Sequence, residues 1–175
     1  YLPGALLAVA GRFRRGDVDV VSGHAMFVDE EGREERRFEA PPVSASRLVR
    51  VRGGFSAPQQ GTFWSRACWD RHGPLNADLH VLMDYDYWIR MAAAGERWAI
   101  LDRDVAMFRH HGDQKTADLS SNLDMLRERR RVLNAFRTSA RCPRRLQSDV
   151  ARGLRENRVK ELREEYAVAG APGGA

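Results

Sequence analysis

Eight residues, Met83-Asp84-Tyr85-Asp86-Tyr87-Trp88-Ile89-Arg90, restrict the fold more than any other stretch. They put two carboxylates, three aromatic rings and an arginine at what reads as the start of a helix ending at Gly95. At about 100° per residue, Tyr87, Trp88, Met91 and Ala94 fall on one side of that helix. Asp84 projects onto the same apolar side. Asp86 projects onto the other, one turn before Arg90, where an i,i+4 ion pair forms with solvent around it. The two acids therefore have different work. An inward acid at a helix N-terminus can be a helix cap, a metal ligand or a general base.

The flanking patterns surround this helix with strands. Leu2, Leu6, Val9, Ala10 and Phe13 repeat at helical spacing, and Gly16-Asp17 ends that helix. Val18 to Val28 is rich in β-branched residues and reads as a strand. Glu30-Glu31-Gly32 is a turn, with a return strand over Arg36 to Ala40. Ser44 is placed to cap a short helix through Val51. Phe55 to Trp64 reads as a loop entering a short buried strand. A helix from Ser65 to Arg71 stops at His72-Gly73-Pro74. Arg97 to His110 alternates as a strand. Helical spacing resumes at Asp118, with Leu119, Leu123, Leu126, Val132 or Leu133, and Phe136 on one face. A basic helix spans Pro143 to Tyr166, and the Ala/Gly/Pro tail over 167–175 reads as disordered. The order of elements is α/β, with too few strands for a complete doubly wound sheet.

Composition narrows the classes. A chain of 175 residues, 43% hydrophobic and 30% charged, can bury a core in one domain with an appendage. No apolar run is long enough to span a membrane, and the opening residues do not read as a signal peptide. Cys68 and Cys142 have no CxxC partner, which suits a reducing cytoplasm better than a disulfide framework. The net charge of +5 is uneven: residues 127–163 hold 13 of the 29 Lys and Arg but only four of the 24 Asp and Glu. That segment has three readings: a solvated helical appendage, a surface that lies on an anionic membrane, or a nucleic-acid contact. The last is disfavoured, because only Phe136 and Tyr166 lie in or beside the segment, which leaves it without a stacking platform.

Four patterns stand in a fixed order: Tyr1-Leu2-Pro3-Gly4-Ala5-Leu6 leading to Val18-Asp19-Val20-Val21-Ser22-Gly23; Gln59-Gln60-Gly61-Thr62-Phe63-Trp64-Ser65-Arg66 followed by His72-Gly73; Asp84-Tyr85-Asp86-Tyr87-Trp88-Ile89-Arg90; and Phe108-Arg109-His110-His111-Gly112-Asp113-Gln114-Lys115-Thr116. Together they resemble the second half of a family 2 glycosyltransferase with the A-type nucleotide-sugar fold, Rossmann-like in its sheet. The resemblance covers residues 1–116. It makes 117–166 a basic helical extension.

The resemblance implies an inverting transfer from a nucleotide-diphosphate sugar to a hydroxyl of a carbohydrate or lipid-linked acceptor, of the kind used in surface polysaccharide synthesis. A divalent cation, Mg²⁺ or Mn²⁺, neutralises the departing diphosphate. Asp84 carries over as the general base. His111 carries over as a metal ligand or phosphate contact, with Arg109 and Lys115 neutralising phosphate charge. Gln59, Gln60 and Gly61 line up with a loop near the sugar, and Asp86 falls in the same substrate-binding motif. The implied place is the cytoplasm, at or near the inner face of the membrane.

The sequence also departs from the family. Met83 stands where a Glu is commonest, and His24 follows Ser22-Gly23 where an Asp is frequent. The family's first βαβ unit and the metal-holding Asp-x-Asp-like motif that ends it would stand ahead of Tyr1, outside these residues. The expectation is a transferase fragment, inactive alone. The competing expectation is a non-catalytic α/β binding module whose basic C-terminal helices dock on a membrane or polyanion. Plain structural roles compete residue by residue as well: Asp84 as a cap, Asp86 as a surface ion pair, Trp64, Trp69 and Trp88 as core.

Overall fold

The computed structural model describes residues 1–50, 57–109 and 120–170, without the side chains of 120–122, 168 and 170. The fold is α/β, a four-stranded mixed sheet with helices on both faces. The strands are β1 (Val20–Val28), β2 (Glu34–Phe38), β3 (Thr62–Trp64) and β4 (Trp98–Arg109). Strand β1 is central. Along one edge it pairs with β4 in parallel, Val20 with Trp98 through Val28 with Arg109. Its other edge is shared by two antiparallel partners, β3 at Val20–Ser22 and β2 at Ala25–Val28. A strand enclosed on both edges is buried on both faces, and β1 reads as a run of buried residues.

Side-chain alternation splits the core between the two faces. Val21 turns toward helix α1 (Ala5–Phe13), with Val9, Val18 and Phe63. Val20 turns the other way, into the main core. That core is built by α2 (Ala45–Val49), α3 (Arg66–His72), α4 (Met83–Ala94), α5 (Ser120–Thr138) and α6 (Gln147–Gly170). Leu133, Phe136, Leu146 and Val150 lie in the same cluster as Tyr87, Trp88 and Met91. Helices α5 and α6 are thus packed into the core and are not the solvated appendage that their charge suggests. Helix α6 also runs to Gly170, into the stretch expected to be disordered; 171–175 lie outside the described residues.

Two close approaches set the layer spacing. A Cβ on Gly23 would meet the Val105 methyls at 2.6 Å, and one on Gly61 would meet the Gly23 carbonyl oxygen at 2.7 Å. Glycine at both positions lets β4 and the turn at residue 61 close on β1. A polar thread crosses the strands there. Trp98 Nε1 donates to Ser22 Oγ at 2.9 Å, Ser22 Oγ lies 2.9 Å from Thr62 Oγ1, and Thr62 Oγ1 donates to the Pro58 carbonyl at 2.7 Å. The Thr62 proton is committed to Pro58, so Ser22 donates to Thr62, and every polar atom in the thread is satisfied.

Candidate functional site

Helix α4 presents the aspartates, and its sequence explains its burial. It lies between the sheet and the C-terminal helices, so Tyr85, Tyr87, Trp88, Ile89, Arg90, Met91 and Ala93 are all buried. The single apolar stripe expected from helical spacing is therefore too narrow a description. Ala94, assigned to that stripe, is exposed. Trp88 is 1% exposed and stacks edge-on with Trp64 and Trp98. Trp64 and Trp69 are half-buried against the same cluster, consistent with core roles for all three expected tryptophans.

The N-terminus of α4 has no cap of its own. The N-cap residue is Leu82, which has no polar side chain. The cap comes from α5. One Glu128 oxygen accepts from His80 N, and the other from Val81 N and Leu82 N, each at 2.7 Å. Burial pushes the Glu128 carboxyl up, but the three backbone N–H groups outweigh it and hold the pKa below the usual glutamate value. Tyr85 adds a second anchor: its hydroxyl donates to the Leu48 carbonyl at 2.8 Å and accepts from Arg129 Nε at 3.1 Å. Glu128 was missed in the sequence. Its only signal there is an acid inside the run Arg127-Glu128-Arg129-Arg130-Arg131.

Asp84 occupies the first turn of this pinned helix. Its Oδ1 accepts from Tyr85 N at 2.7 Å. Among the described residues no side chain pairs with it. Burial is the main influence on its carboxyl and raises the pKa, against a smaller lowering by the backbone N–H groups. Asp86 does pair with Arg90, Nε to Oδ2 at 2.9 Å, as the spacing predicts. The pair is not the solvated one expected, because Arg90 is buried; its guanidinium also donates to the His72 and Pro74 carbonyls. Asp86 thus holds the arginine that fastens the end of α3 to α4.

Gln59 and Gln60 form a 3₁₀ turn ahead of β3, with Gln59 exposed, Gln60 half-buried and Gly61 buried. No hydrogen bond between described residues joins either glutamine to Asp84. Arg109 ends β4 opposite Val28, at an exposed strand end. His111 and Lys115 lie outside the described residues, as do His110 and the rest of 110–119. His24 is buried beside a β4 irregularity; its Nδ1 accepts from Ala40 N at 3.0 Å, so Nε2 carries the proton toward Asp102, 3.1 Å away. An Asp-x-Asp triplet does occur, Asp17-Val18-Asp19, but Arg12 takes Asp17, and Arg97 and Arg71 take Asp19. The one group of three or more potential ligands found among the described residues is Cys68, His72 and Glu96, with no such group at Asp84. No helix of the described residues is long and apolar enough to cross a membrane.

No family model matches the chain, and no curated protein matches it either.

Proposed function

We propose that this chain carries the acceptor-side part of an inverting glycosyltransferase, with Asp84 as the general base. The single observation that supports this most is the contrast among carboxylates. Asp86, Glu96 and Glu128 are saturated by arginine, histidine or backbone donors. Asp84, half-buried, is the one of these four whose pKa is raised and whose carboxylate has no side-chain partner among the described residues. A base needs a free lone pair and a pKa drawn toward neutrality, on a support that does not move. The Glu128 cap and the Tyr85 anchor supply that support.

In the proposed step the acceptor hydroxyl oxygen forms a bond to the anomeric carbon. The carbon–oxygen bond to the diphosphate breaks, and its electron pair leaves with the diphosphate. Asp84 takes the hydroxyl proton, and attack from the opposite face inverts the configuration. By resemblance, Arg109, Lys115 and His111 would neutralise phosphate charge, and Gln59, Gln60 and Asp86 would belong to the substrate side. A divalent cation would supply further charge neutralisation on the diphosphate. The described residues gather no cation-binding group at Asp84, so the base step is not routed through one.

The resemblance assigns nucleotide recognition to sequence before Tyr1, so the test uses the longest reading frame that contains this chain. Sugar release and transfer from a panel of nucleotide-diphosphate sugars are measured, with the product anomer read by NMR. Asp84→Asn should abolish transfer while leaving donor binding intact. Retained transfer in that variant, or a product of retained configuration, would sink the proposal.

A second reading is favoured by the outward face of α6. Arg152, Arg155, Val159, Leu162, Arg163 and Tyr166 share it, all exposed, with Tyr166 82% exposed. A basic face with apolar and aromatic members suits an anionic membrane surface. Vesicle flotation tests it: binding to vesicles rich in phosphatidylglycerol and not to pure phosphatidylcholine is expected. Equal behaviour with both would remove this reading.

A further inference from the structure

Helix α3 and the turn after α4 bring together a thiol, an imidazole and a carboxylate that the proposed transfer does not use. Cys68 and His72 are four residues apart on α3, so they share a face. Gly95 closes α4 in the left-handed region, φ 85°, and this turn sends Glu96 back beneath α3. One ligand atom from each of the three residues lies within 4.8 Å of the others. All are shielded: Cys68 is fully buried, and the His72 and Glu96 side chains are 8% and 7% exposed.

We propose that Cys68, His72 and Glu96 form a structural site for a divalent cation of the zinc class, clipping α3 to the C-terminal end of α4. Sulfur, nitrogen and oxygen donors in one buried cluster suit Zn²⁺, with bonds of about 2.3 Å to sulfur and about 2.0–2.2 Å to nitrogen and oxygen. Hard ions such as Mg²⁺ do not take a thiolate. The site is distinct from Asp84: twelve residues of nearly continuous helix separate 84 from 96, about 18 Å at the helical rise.

A separate observation points to a ligand. The Tyr87 side chain is fully buried, and its hydroxyl has no hydrogen-bond partner among the described residues. Its ring meets the His72 imidazole edge-on, with the centroids 6.4 Å apart. An unpartnered hydroxyl in a core is costly. A cation, or a water completing its tetrahedron, gives that oxygen a partner and fills the fourth position. Met91 Sδ, 3.3 Å from Cys68 Sγ, closes the pocket with a second soft atom.

Arg71 fits the site as an outer support. It donates to both Glu96 oxygens and reaches Asp19 at 3.4 Å, which ties the cluster to the start of β1. His72 Nε2 faces Glu96 Oε1 at 2.7 Å. A cation bound to Oε1 and Nε2 takes the place of the proton between them, and that proton moves to Nδ1. Arg71 stays on Oε2, the arrangement common for ligating carboxylates. The thiol gives up its proton as the cation–sulfur bond forms. When the site is empty, burial is the main cause raising that thiol to about 12, so cation binding has to displace the thiol proton.

Cobalt(II) titration of the purified, metal-stripped chain tests the site. The expected result is one Co²⁺ per chain with a thiolate-to-cobalt charge-transfer band, bleached by one equivalent of Zn²⁺. The band should vanish in Cys68→Ser and persist in Cys142→Ser. Zn²⁺ should raise the melting temperature of the wild type and leave Cys68→Ser unchanged. If Cys68→Ser does not fold, Glu96→Gln decides the matter: affinity should fall by at least about tenfold. No band in the wild type at excess Co²⁺ overturns the proposal. So does a band that survives Cys68→Ser, or unchanged affinity in folded Glu96→Gln.

Discussion

Removing the Glu128 carboxylate tests whether a side chain from α5 holds the start of α4. Its side chain is 3% exposed and serves three backbone N–H groups. In Glu128→Ala those donors lose their acceptor. His80 is exposed, so water replaces one bond. Leu82 is 2% exposed, and its N–H is left in the core. One orphaned buried donor costs about 1–3 kcal/mol, and losing charge-assisted bonds adds about 1–2 more. The expected loss is about 3 kcal/mol, a large fraction of the 5–15 kcal/mol typical of a domain. For a chain of this size that lowers the melting temperature by about 6–12 °C. Glu128→Gln should cost only about 1–2 kcal/mol, because its carbonyl oxygen still serves Val81 and Leu82 and the lost bond is the wet one. Urea unfolding gives the energies, and hydrogen exchange at amides 81 and 82 reports the cap directly. The carboxyl is held below its unfolded pKa. Its stabilisation is thus complete above the ordinary glutamate pKa and is lost as pH falls through the lower folded value. A melting temperature within 2 °C of wild type for Glu128→Ala at neutral pH, with Leu82 still protected from exchange, would refute the reasoning (about 1 kcal/mol or less).

The remaining expectations follow from single contacts. A Cβ on Gly153 would run into the Val49 carbonyl, so Gly153→Ala should push α6 off α2 and lower stability by about 2–3 kcal/mol in urea melts. Asp19 is drawn down to about 2, mainly by the Arg97 side chain, so its contribution is complete above 3.8 and lost as pH falls toward 2. Asp19→Asn should therefore be less stable than wild type at pH 7, and the gap should close over that acid window in a melting series. Asp84 has the opposite sign: its raised pKa means ionisation weakens the fold as pH climbs past 3.8. Asp84→Asn should leave the melting temperature within about 4 °C of wild type or raise it, since it loses only about 0.3–1 kcal/mol of helix-terminus charge and relieves the desolvation of a half-buried one. A larger fall would make Asp84 a cap and nothing more.

Local chemistry was legible in the sequence; long-range chemistry was not. Ser44 was readable as a cap because the bond is three residues long, and it accepts from the N–H of Arg47; Ser65, read as the start of a helix, caps α3 in the same way through Cys68 N. Val20 and Val21 announced a strand, and Gly95 a helix end, from conformational preferences alone. The cap on Leu82 comes from 46 residues away. No spacing rule connects Glu128 to Leu82, so the acid reads as one charge in a basic run. The solvated reading of Arg90 failed similarly. Its helix has neighbours on nearly every side, which periodicity cannot report once apolar residues leave the stripe. Nothing in the sequence around Gly153 reports that α2 lies across it. The free carboxylate of Asp84 was anticipated as a direction along the helix, while its lack of a side-chain partner among the described residues required the tertiary structure.

The thread from Trp98 to Pro58 acts as a gauge of alignment. Each donor in it has one acceptor, and the three hydroxyl and indole groups come from three different strands. A slip of β3 by one residue would turn Thr62 to the opposite face and put Phe63 beside Ser22. The Ser22 hydroxyl proton would then lose its acceptor in the core, at about 1–3 kcal/mol, while Trp98 Nε1 would keep its bond to Ser22 Oγ. A short strand such as Thr62–Trp64 has little length with which to find its place. Hydroxyl matching supplies the missing information, so Ser22→Ala should loosen the choice of alignment more than it lowers the stability of the correct one.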